Sequence, residues 1–534
     1  MSRIILKNIS YILPGGKKIF NNLSFSFNPE LIGVVGKNGI GKSTLAKIIA
    51  GKLTVQSGSV EVSGRLKSLP QILDDWIDSN VAEIFAIKNK YEALKRLENG
   101  QGNKEDLVIL DDDWDLVEQV EIIKERIGIS HIDLDRKYTS LSGGEKVRCL
   151  LASLLIDNPD FIILDEPTNH LDAEGRNIIY DFVKNWKKGM IVISHDKNLL
   201  RLMNTIAELS SIGFKSYGGN YDYYIQQKKL EDEAAQKEIR NVTVELKKLI
   251  EKKLHVIERQ QKRNVSGEKR AEKSNQPKIM ANQLKGSGEK TLKKLKEIHN
   301  EKINEIEKKL SDIKKKQRPN INIKLDISNK DHFKQKNIVT AERINFSYNK
   351  KKNIWLYDLS FNIYGGERIE LRGKNGTGKT TLLKMIRGEL KNLTGKLEVR
   401  SKKIGSLEQD ISILDEEISI LENINNASGR KLPEHDLRIK LGRFLFYKDD
   451  VFKKAKVLSG GERMRAGLAC LLSSYKTPDL ILLDEPTNNL DLESIEELID
   501  GLNKYKGTIL VVSHDPDFLR EINVERIIDL DEYF

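Results

Sequence analysis

The sequence predicts an α/β protein in which two copies of one strand–loop–helix domain stand in tandem, joined by an α-helical hairpin linker. Three observations carry that prediction. Four short motifs recur in the same order on either side of the middle of the chain. Each glycine-rich loop among them sits between an apolar run and a helical pattern, as with Leu31-Ile32-Gly33-Val34-Val35 before the first loop and Leu45, Ile48 and Ile49 after it. Residues 226–320, between the copies, contain no Trp, Tyr or Phe, so that segment has little with which to build a globular core.

Gly36-Lys37-Asn38-Gly39-Ile40-Gly41-Lys42-Ser43 returns as Gly373-Lys374-Asn375-Gly376-Thr377-Gly378-Lys379-Thr380. Leu141-Ser142-Gly143-Gly144-Glu145 returns as Leu458-Ser459-Gly460-Gly461-Glu462. Leu164-Asp165-Glu166-Pro167-Thr168-Asn169 returns as Leu483-Asp484-Glu485-Pro486-Thr487-Asn488, and Ser194-His195-Asp196 returns at the same offset as Ser513-His514-Asp515. Fixed order at near-fixed spacing marks two copies of one domain. The first two pairs are offset by 337 and 317, so copy one holds 20 extra residues between those motifs. They fall at about 85–114, where Tyr91, Leu94 and Leu97 have helical spacing before the turn Asn99-Gly100-Gln101-Gly102-Asn103. A small projecting subdomain and a looser loop both satisfy that pattern.

The chemistry follows from residue types. A strand–glycine loop–helix context lets backbone N–H groups turn inward around phosphate oxygens, with the helix N-terminus adding its positive end. The expected nucleotide-binding set is Gly36, Asn38, Gly39, Gly41, Lys42, Ser43 and Thr44 in copy one. In copy two it is Gly373, Asn375, Gly376, Gly378, Lys379, Thr380 and Thr381. Lys42 and Lys379 should reach the β/γ-phosphates, and Ser43 and Thr380 should bind Mg²⁺. Ile162-Ile163-Leu164-Asp165 and Ile481-Leu482-Leu483-Asp484 read as buried strands that deliver Asp165 and Asp484 to the metal. Glu166 and Glu485 follow, where a carboxylate can position or deprotonate an attacking water. His195 and His514 lie at one and the same distance in sequence beyond those aspartates, each after an apolar strand. A hydrogen bond to the terminal phosphate or to the water is expected of them. Tyr11 and Tyr348 precede their loops by equal intervals, a spacing that suggests adenine stacking. Gln71 and Gln409 follow the loop lysines at intervals that differ by a single position, and they suit Mg²⁺ or water sensing.

The formal net charge is +11, but residues 226–320 alone hold 27 Lys+Arg and 15 Asp+Glu, a net of +12. The other residues are close to neutral. Leu246, Leu249, Ile250, Leu254 and Ile257 form one helical stripe, and Ile303, Ile306, Leu310 and Ile313 a second. Breakers between Asn264 and Gly288 suggest a tip joining two antiparallel helices of roughly 35 residues, about 50 Å each. A flexible charged linker is the alternative. No run of 18 apolar residues and no signal-like N-terminus occur, which predicts a cytoplasmic protein with no membrane partner. Cys149 and Cys470 cannot make a disulfide framework and are expected as buried apolar residues.

Taken together these motifs resemble the ATP-binding cassette (ABC) domain, over roughly residues 2–225 and 337–534. The resemblance implies ATP and Mg²⁺ as ligands and ATPase activity. It implies a monomer whose two cassettes close head-to-tail on two ATP molecules. Ser142, Gly143 and Gly144 would meet ATP held by Lys379, and Ser459, Gly460 and Gly461 ATP held by Lys42. Two cassettes with a basic helical linker resemble the ABC-F subfamily. This implies three modules: 1–225, with an arm at about 85–114; 226–336, the linker; and 337–534. It also implies a ribosome partner, with binding at the tRNA exit site and contacts to 23S rRNA and P-site tRNA near the peptidyl transferase centre. Some members protect the ribosome from lincosamides, pleuromutilins and streptogramin A, and the length of the linker here resembles theirs. A housekeeping translation factor is the alternative. A transporter ATPase subunit fits less well, because of the charged linker.

Overall fold

A computed structural model of the chain describes residues 2–69, 79–169, 171–273, 293–294, 297–298, 300–311, 313, 336–348, 353–401, 403–408, 411, 413–429, 432–473, 477–488 and 490–534. They form two compact units, Met1–Asp222 with Ile321–Phe534, and Tyr223–Asn320.

Copy one runs β1 (Arg3–Ile12), β2 (Lys18–Phe27), β3 (Leu31–Val35), α1 (Lys42–Ile49), β4 (Ser57–Ser63) and β5 (Leu66–Leu69). It continues through α2 (Val81–Ile84), α3 (Lys88–Glu98), α4 (Lys104–Leu110), α5 (Leu116–Ile127), α6 (Gly143–Leu155) and β6 (Phe161–Asp165). It ends with α7 (Ala173–Asn185), β7 (Gly189–Ile193), α8 (Lys197–Leu200), β8 (Thr205–Ser210) and β9 (Gly213–Gly218). A six-stranded sheet has the order β5-β6-β7-β3-β8-β9, parallel except for β9, and a three-stranded antiparallel sheet has the order β2-β1-β4. Every residue of β6 and β7 is buried, as expected of central parallel strands covered on both faces.

The extra residues of copy one are helical. α3 and α4 pack together as a hairpin, and the Arg96 guanidinium donates to Asp106 Oδ1 at 2.5 and 3.0 Å. A capping box at Asn103 starts α4, with its side chain accepting from the Asp106 amide.

In the second unit, α9 (Tyr221–Lys273) runs 53 residues, about 80 Å. It is longer than expected, because Ser266-Gly267 do not break it. Helical residues 300–311 form α10. Lys253 Nζ donates to Asn300 Oδ1 at 2.6 Å, which ties α9 to α10 as a hairpin. The seam differs in register from the expected stripe. Leu246, Leu249, Lys253, Val256 and Ile257 are half-buried, whereas Ile250 and Leu254 are exposed. The spacing 246–249–253–256 is a heptad pattern, whose 3.5-residue period holds the facing positions better than a 3.6-residue stripe. Ile303, Ile306, Leu310 and Ile313 are half-buried on the returning segment, as expected. The rest of the expected tip, 274–288, lies outside the described residues.

Copy two repeats the plan with β10 (Asn337–Asn345), β11 (Leu359–Tyr364), β12 (Arg368–Arg372), α11 (Lys379–Ile386), β13 (Thr394–Val399) and β14 (Ile404–Leu407). Then come α12 (Ile420–Ser428), α13 (Glu434–Arg443), α14 (Gly460–Leu472), β15 (Leu480–Asp484), α15 (Leu492–Lys504), β16 (Thr508–Val512), α16 (Pro516–Glu521) and β17 (Arg526–Asp529). The sheet orders are β14-β15-β16-β12-β17 and β11-β10-β13. Here α12 leads directly to α13, which is where copy one carries its extra hairpin.

Trp355 is fully buried in this copy, and its indole Nε1 donates to Thr377 O at 2.8 Å beneath the glycine loop. Trp355→Ala is expected to cost about 3–5 kcal/mol, read as a lower denaturant midpoint for this copy. An unchanged midpoint would show that the ring does not support the loop.

Candidate functional site

Both glycine loops adopt the geometry that their sequence demands. Gly41 and Gly378 sit just before their helices at φ +106° and +88°, a left-handed conformation that costs glycine least. A Cβ at either would also lie 2.4 Å from Ile19 or 2.9 Å from Ile354. Behind each loop the lysine folds back. Lys42 Nζ donates to Gly36 O at 2.7 Å, and Lys379 Nζ to Gly373 O at 2.6 Å and Lys374 O at 2.8 Å. Burial pushes both ammonium groups below their ordinary pKa, against the attraction of Glu166 and Glu485 respectively.

The strands deliver the acids to the same edge of the sheet. Ser43 Oγ donates to Asp165 Oδ1 at 3.2 Å, and Thr380 Oγ1 to Asp484 Oδ2 at 2.9 Å. A hydroxyl beside a carboxylate is a hard-oxygen pair that fits Mg²⁺ completed by phosphate oxygens. Among the described residues no group of three His, Cys, Asp or Glu gathers to hold a metal without such help. Glu166 and Glu485 follow at φ +49° and +47°. Their amides donate to Ile193 O at 2.8 Å and Val512 O at 2.9 Å, which hold this strained turn against the neighbouring strand.

His195 Nε2 stands 3.4 Å from Glu166 Oε1, and His514 Nε2 3.4 Å from Glu485 Oε1. These pairs are not made into hydrogen bonds. Both ring nitrogens of His195 and both carboxylate oxygens of Glu485 are buried without a partner. Desolvation raises Glu166 to about 8 and Glu485 to about 7, and lowers His195 to about 3 and His514 to about 4. Such orphaned polar atoms beside a cavity are what a bound phosphate or water would satisfy.

Two cavities hold these groups. One, of about 460 Å³, is lined by Asn375, Gly376, Gly378, Lys379, Thr380, Thr381, Asp484, Glu485 and His514, with Leu171 and Arg176 from copy one. The other, of about 210 Å³, is lined by Asn38, Ser43, Glu166 and His195, with Thr487, Asn488, Leu490 and Ile495 from copy two. The segment after each Asp-Glu-Pro-Thr-Asn motif therefore closes the opposite copy's site. Asp491 Oδ2 accepts from the Asn38 amide at 2.7 Å, and Lys37 pairs with Glu493 at 2.8 Å. Lys374 and Glu174 make the equivalent pair at 3.4 Å. Sequence reasoning passed over this segment, although Leu171-Asp172 and Leu490-Asp491 repeat at the same offset as the motif before them.

Other expected positions fall differently. Tyr11 is a correction: it is 8% exposed and belongs to the apolar core of copy one, so its ring is not free to stack on a base. The left-handed turns at Asn8 and Arg343 match at an offset of 335, which pairs Tyr11 with buried Phe346 and makes the equal spacing of the two tyrosines a coincidence. Tyr348 is 69% exposed, with its hydroxyl 3.0 Å from Thr381 Oγ1. Ser142 and Ser459 start α6 and α14 as capping boxes, each accepting from the amide of Glu145 or Glu462. Gly143, Gly144, Gly460 and Gly461 form the first turns of those helices. Neither serine lines either cavity. Gln71 and Gln409 lie outside the described residues. Cys149 and Cys470 are free and buried.

Two phosphate-type loops, each with a metal-suited hydroxyl–carboxylate pair and a Glu–His pair at 3.4 Å, define a tandem nucleotide hydrolase. The family model for the ABC transporter domain matches the chain twice, at residues 20–169 and 356–488. The ABC transporter ATP-binding protein YfmM of Bacillus subtilis is 30% identical over 98% of both chains. ABC transporter F family member 2 of Arabidopsis thaliana is 29% identical over 94% of this chain and 72% of its own. ATP-binding protein Uup of Haemophilus influenzae is 30% identical over 92% and 73%. The solved RNase-L inhibitor shares the tandem fold at TM-score 0.57 and 19% identity, over 98% of this chain and 87% of its own. A solved complex of the archaeal ribosome recycling factor aABCE1 with the stalk protein aP1 does so at TM-score 0.56 and 20% identity, over the same shares. The chain belongs to the ATP-binding cassette family of ATPases, in its F branch. Among the described residues no helix is long and apolar enough to cross a membrane.

Lys42→Ala and Lys379→Ala should each lower bound ATP from about two to about one per chain in equilibrium dialysis. Two full sites in either variant would remove that lysine from phosphate binding.

Proposed function

We propose that this ATPase is a cytoplasmic, monomeric ribosome-binding factor whose linker meets RNA. The observation that supports it most is a helical hairpin with a net charge of +12 carried between two cassettes that touch across their nucleotide cavities. RNA presents dense phosphate charge, and residues 226–320, with no Trp, Tyr or Phe, suit backbone and shape contacts. Sharing the tandem fold with a ribosome recycling factor adds an analogy of fold.

In the proposed cycle Lys42 and Lys379 hold the β/γ-phosphates, and the loop amides cradle them. Mg²⁺, held by Ser43 and Asp165 or Thr380 and Asp484, would offset phosphate charge. Glu166 and Glu485 orient the attacking water and take its proton, while neutral His195 and His514 stand beside them to hold the terminal phosphate. Gln71 and Gln409 are assigned to sensing the metal or water. Tyr348 is assigned to stacking on adenine at the copy-two site. Closure of the cassettes on two ATP molecules brings Ser142, Gly143 and Gly144, and Ser459, Gly460 and Gly461, onto the opposite nucleotides. Modules 1–225, 226–336 and 337–534 act as clamp, probe and clamp, with the arm hairpin projecting from the first.

The finer reading places the protein at the tRNA exit site. The linker is directed at peptidyl-tRNA, 23S rRNA and the peptidyl transferase centre, and protects against lincosamides, pleuromutilins and streptogramin A. The double variant Glu166→Gln with Glu485→Gln is expected to stay on ribosomes in ATP and cosediment in low-salt gradients. Sedimentation away from ribosomes would reject the ribosomal reading. Expression of the wild-type chain in a sensitive bacterium should raise the inhibitory concentrations of those three drug classes. Unchanged sensitivity at confirmed expression would leave the housekeeping reading.

A further inference from the structure

The two nucleotide cavities are built from one repeated plan, yet the residue that each copy sends across to the other differs. On α7, Arg176 occupies the position that Ile495 holds on α15, at the offset of the surrounding motif. Four residues on, one helical turn along the same face, Tyr180 corresponds to Ile499. Copy one thus offers a polar face where copy two offers an apolar one. Ile495 is 2% exposed and closes the smaller cavity with a hydrocarbon surface.

Arg176 is half-buried and lines the larger cavity with Lys379, Thr380, Asp484 and Glu485. It also borders the smaller one, but its side-chain hydrogen bonds run elsewhere. Nε donates to Leu171 O at 3.2 Å in its own copy, and Nη1 donates to His514 O at 3.1 Å across the boundary. The second bond anchors the Ser513-His514-Asp515 turn. That turn carries the imidazole 3.4 Å from Glu485, both of whose oxygens lack a hydrogen-bond partner. A guanidinium at the wall of a partly dehydrated cavity also adds a fixed positive charge where an anionic phosphate would lie.

We infer that Arg176 is a positioning residue supplied in trans to the Lys379 site alone, and that it makes the two ATP sites of this chain unequal. By anchoring the His514 turn from the opposite cassette, it makes hydrolysis at that site depend on cassette contact through one side chain. The Lys42 site has no equivalent cation from copy two among the described residues that line it. The inference rests on the ATPase activity and not on the ribosomal reading.

The test compares Arg176→Ile in two single-site backgrounds, Glu166→Gln, which leaves the Lys379 site, and Glu485→Gln, which leaves the Lys42 site. In the first, kcat for ATP should fall about ten-fold or more while KM changes less than about three-fold, because the substitution removes positioning and not ground-state binding. Arg176→Lys should recover part of that kcat, since an ammonium can still reach a carbonyl. In the second background the loss should be less than a third as large. Equal losses in both backgrounds, or no loss in the first, would overturn the inference. So would an Arg176→Lys protein as slow as Arg176→Ile, which would mark Arg176 as packing alone.

Discussion

The constraint on which the rest of this structure depends is the placement of acids at the ends of its most buried strands. β6 is buried along its length and β15 up to Asp484, so Asp165, Glu166, Asp484 and Glu485 emerge at a partly buried edge. Desolvation dominates the electrostatics of Asp165, Glu166 and Glu485. It lifts Glu485 to about 7 despite the opposing pull of Arg176 and Lys379. A carboxylate held this way is costly unless neighbours determine its geometry. The neighbours do so here, through a left-handed backbone at the glutamate and an amide bond to the next strand. The P-loop lysine, the histidine and the opposite cassette are all arranged around that edge.

The same edge explains why the copies must touch. An ion pair in water contributes little, as for the exposed Lys374–Glu174 pair, but the other boundary pairs each hold one largely buried partner, Glu493, Asp517 or Lys197. Asp491 caps α15 through the Ser494 amide with one oxygen and accepts from the Asn38 amide of the other cassette with the other. A helix cap is thereby also a hydrogen-bond partner of the opposite phosphate loop. Arg201 with Asp517 at 2.6 Å and Lys197 with Glu521 at 2.7 Å extend the contact away from the cavities. Their partners on the matching helix are not symmetric, since Pro516 stands where Lys197 would recur. The duplication fixes the fold, and the contact surface has diverged from it.

Much of this was legible in the sequence where chemistry repeats. The loops, strand-end acids and histidines are legible because glycine at positive φ, buried apolar runs and paired carboxylates leave marks at fixed offsets. Tyr11 misled because sequence spacing does not register a two-residue change in a hairpin, whereas burial does. The linker stripe was read one position off at Ile250 and Leu254. A polar residue, Lys253, occupies a seam position by bonding Asn300, and apolar patterning alone cannot reveal that. Arg176 was invisible for the opposite reason: it breaks the repeat, so it matches no motif.

The separation of charge from catalysis has a consequence for the ribosomal reading. Cassettes close to neutral would give weak non-specific attraction to RNA, while a linker at +12 would give strong attraction that falls steeply with salt. With no Trp, Tyr or Phe in residues 226–320 to stack on bases, the linker would distinguish RNA by groove shape and phosphate spacing and not by sequence. Such an element would bind almost any folded RNA if left to itself. On that reading selectivity would come from the cassettes, which touch across both nucleotide cavities. ATP state would then decide where an otherwise indiscriminate basic hairpin is held, and for how long.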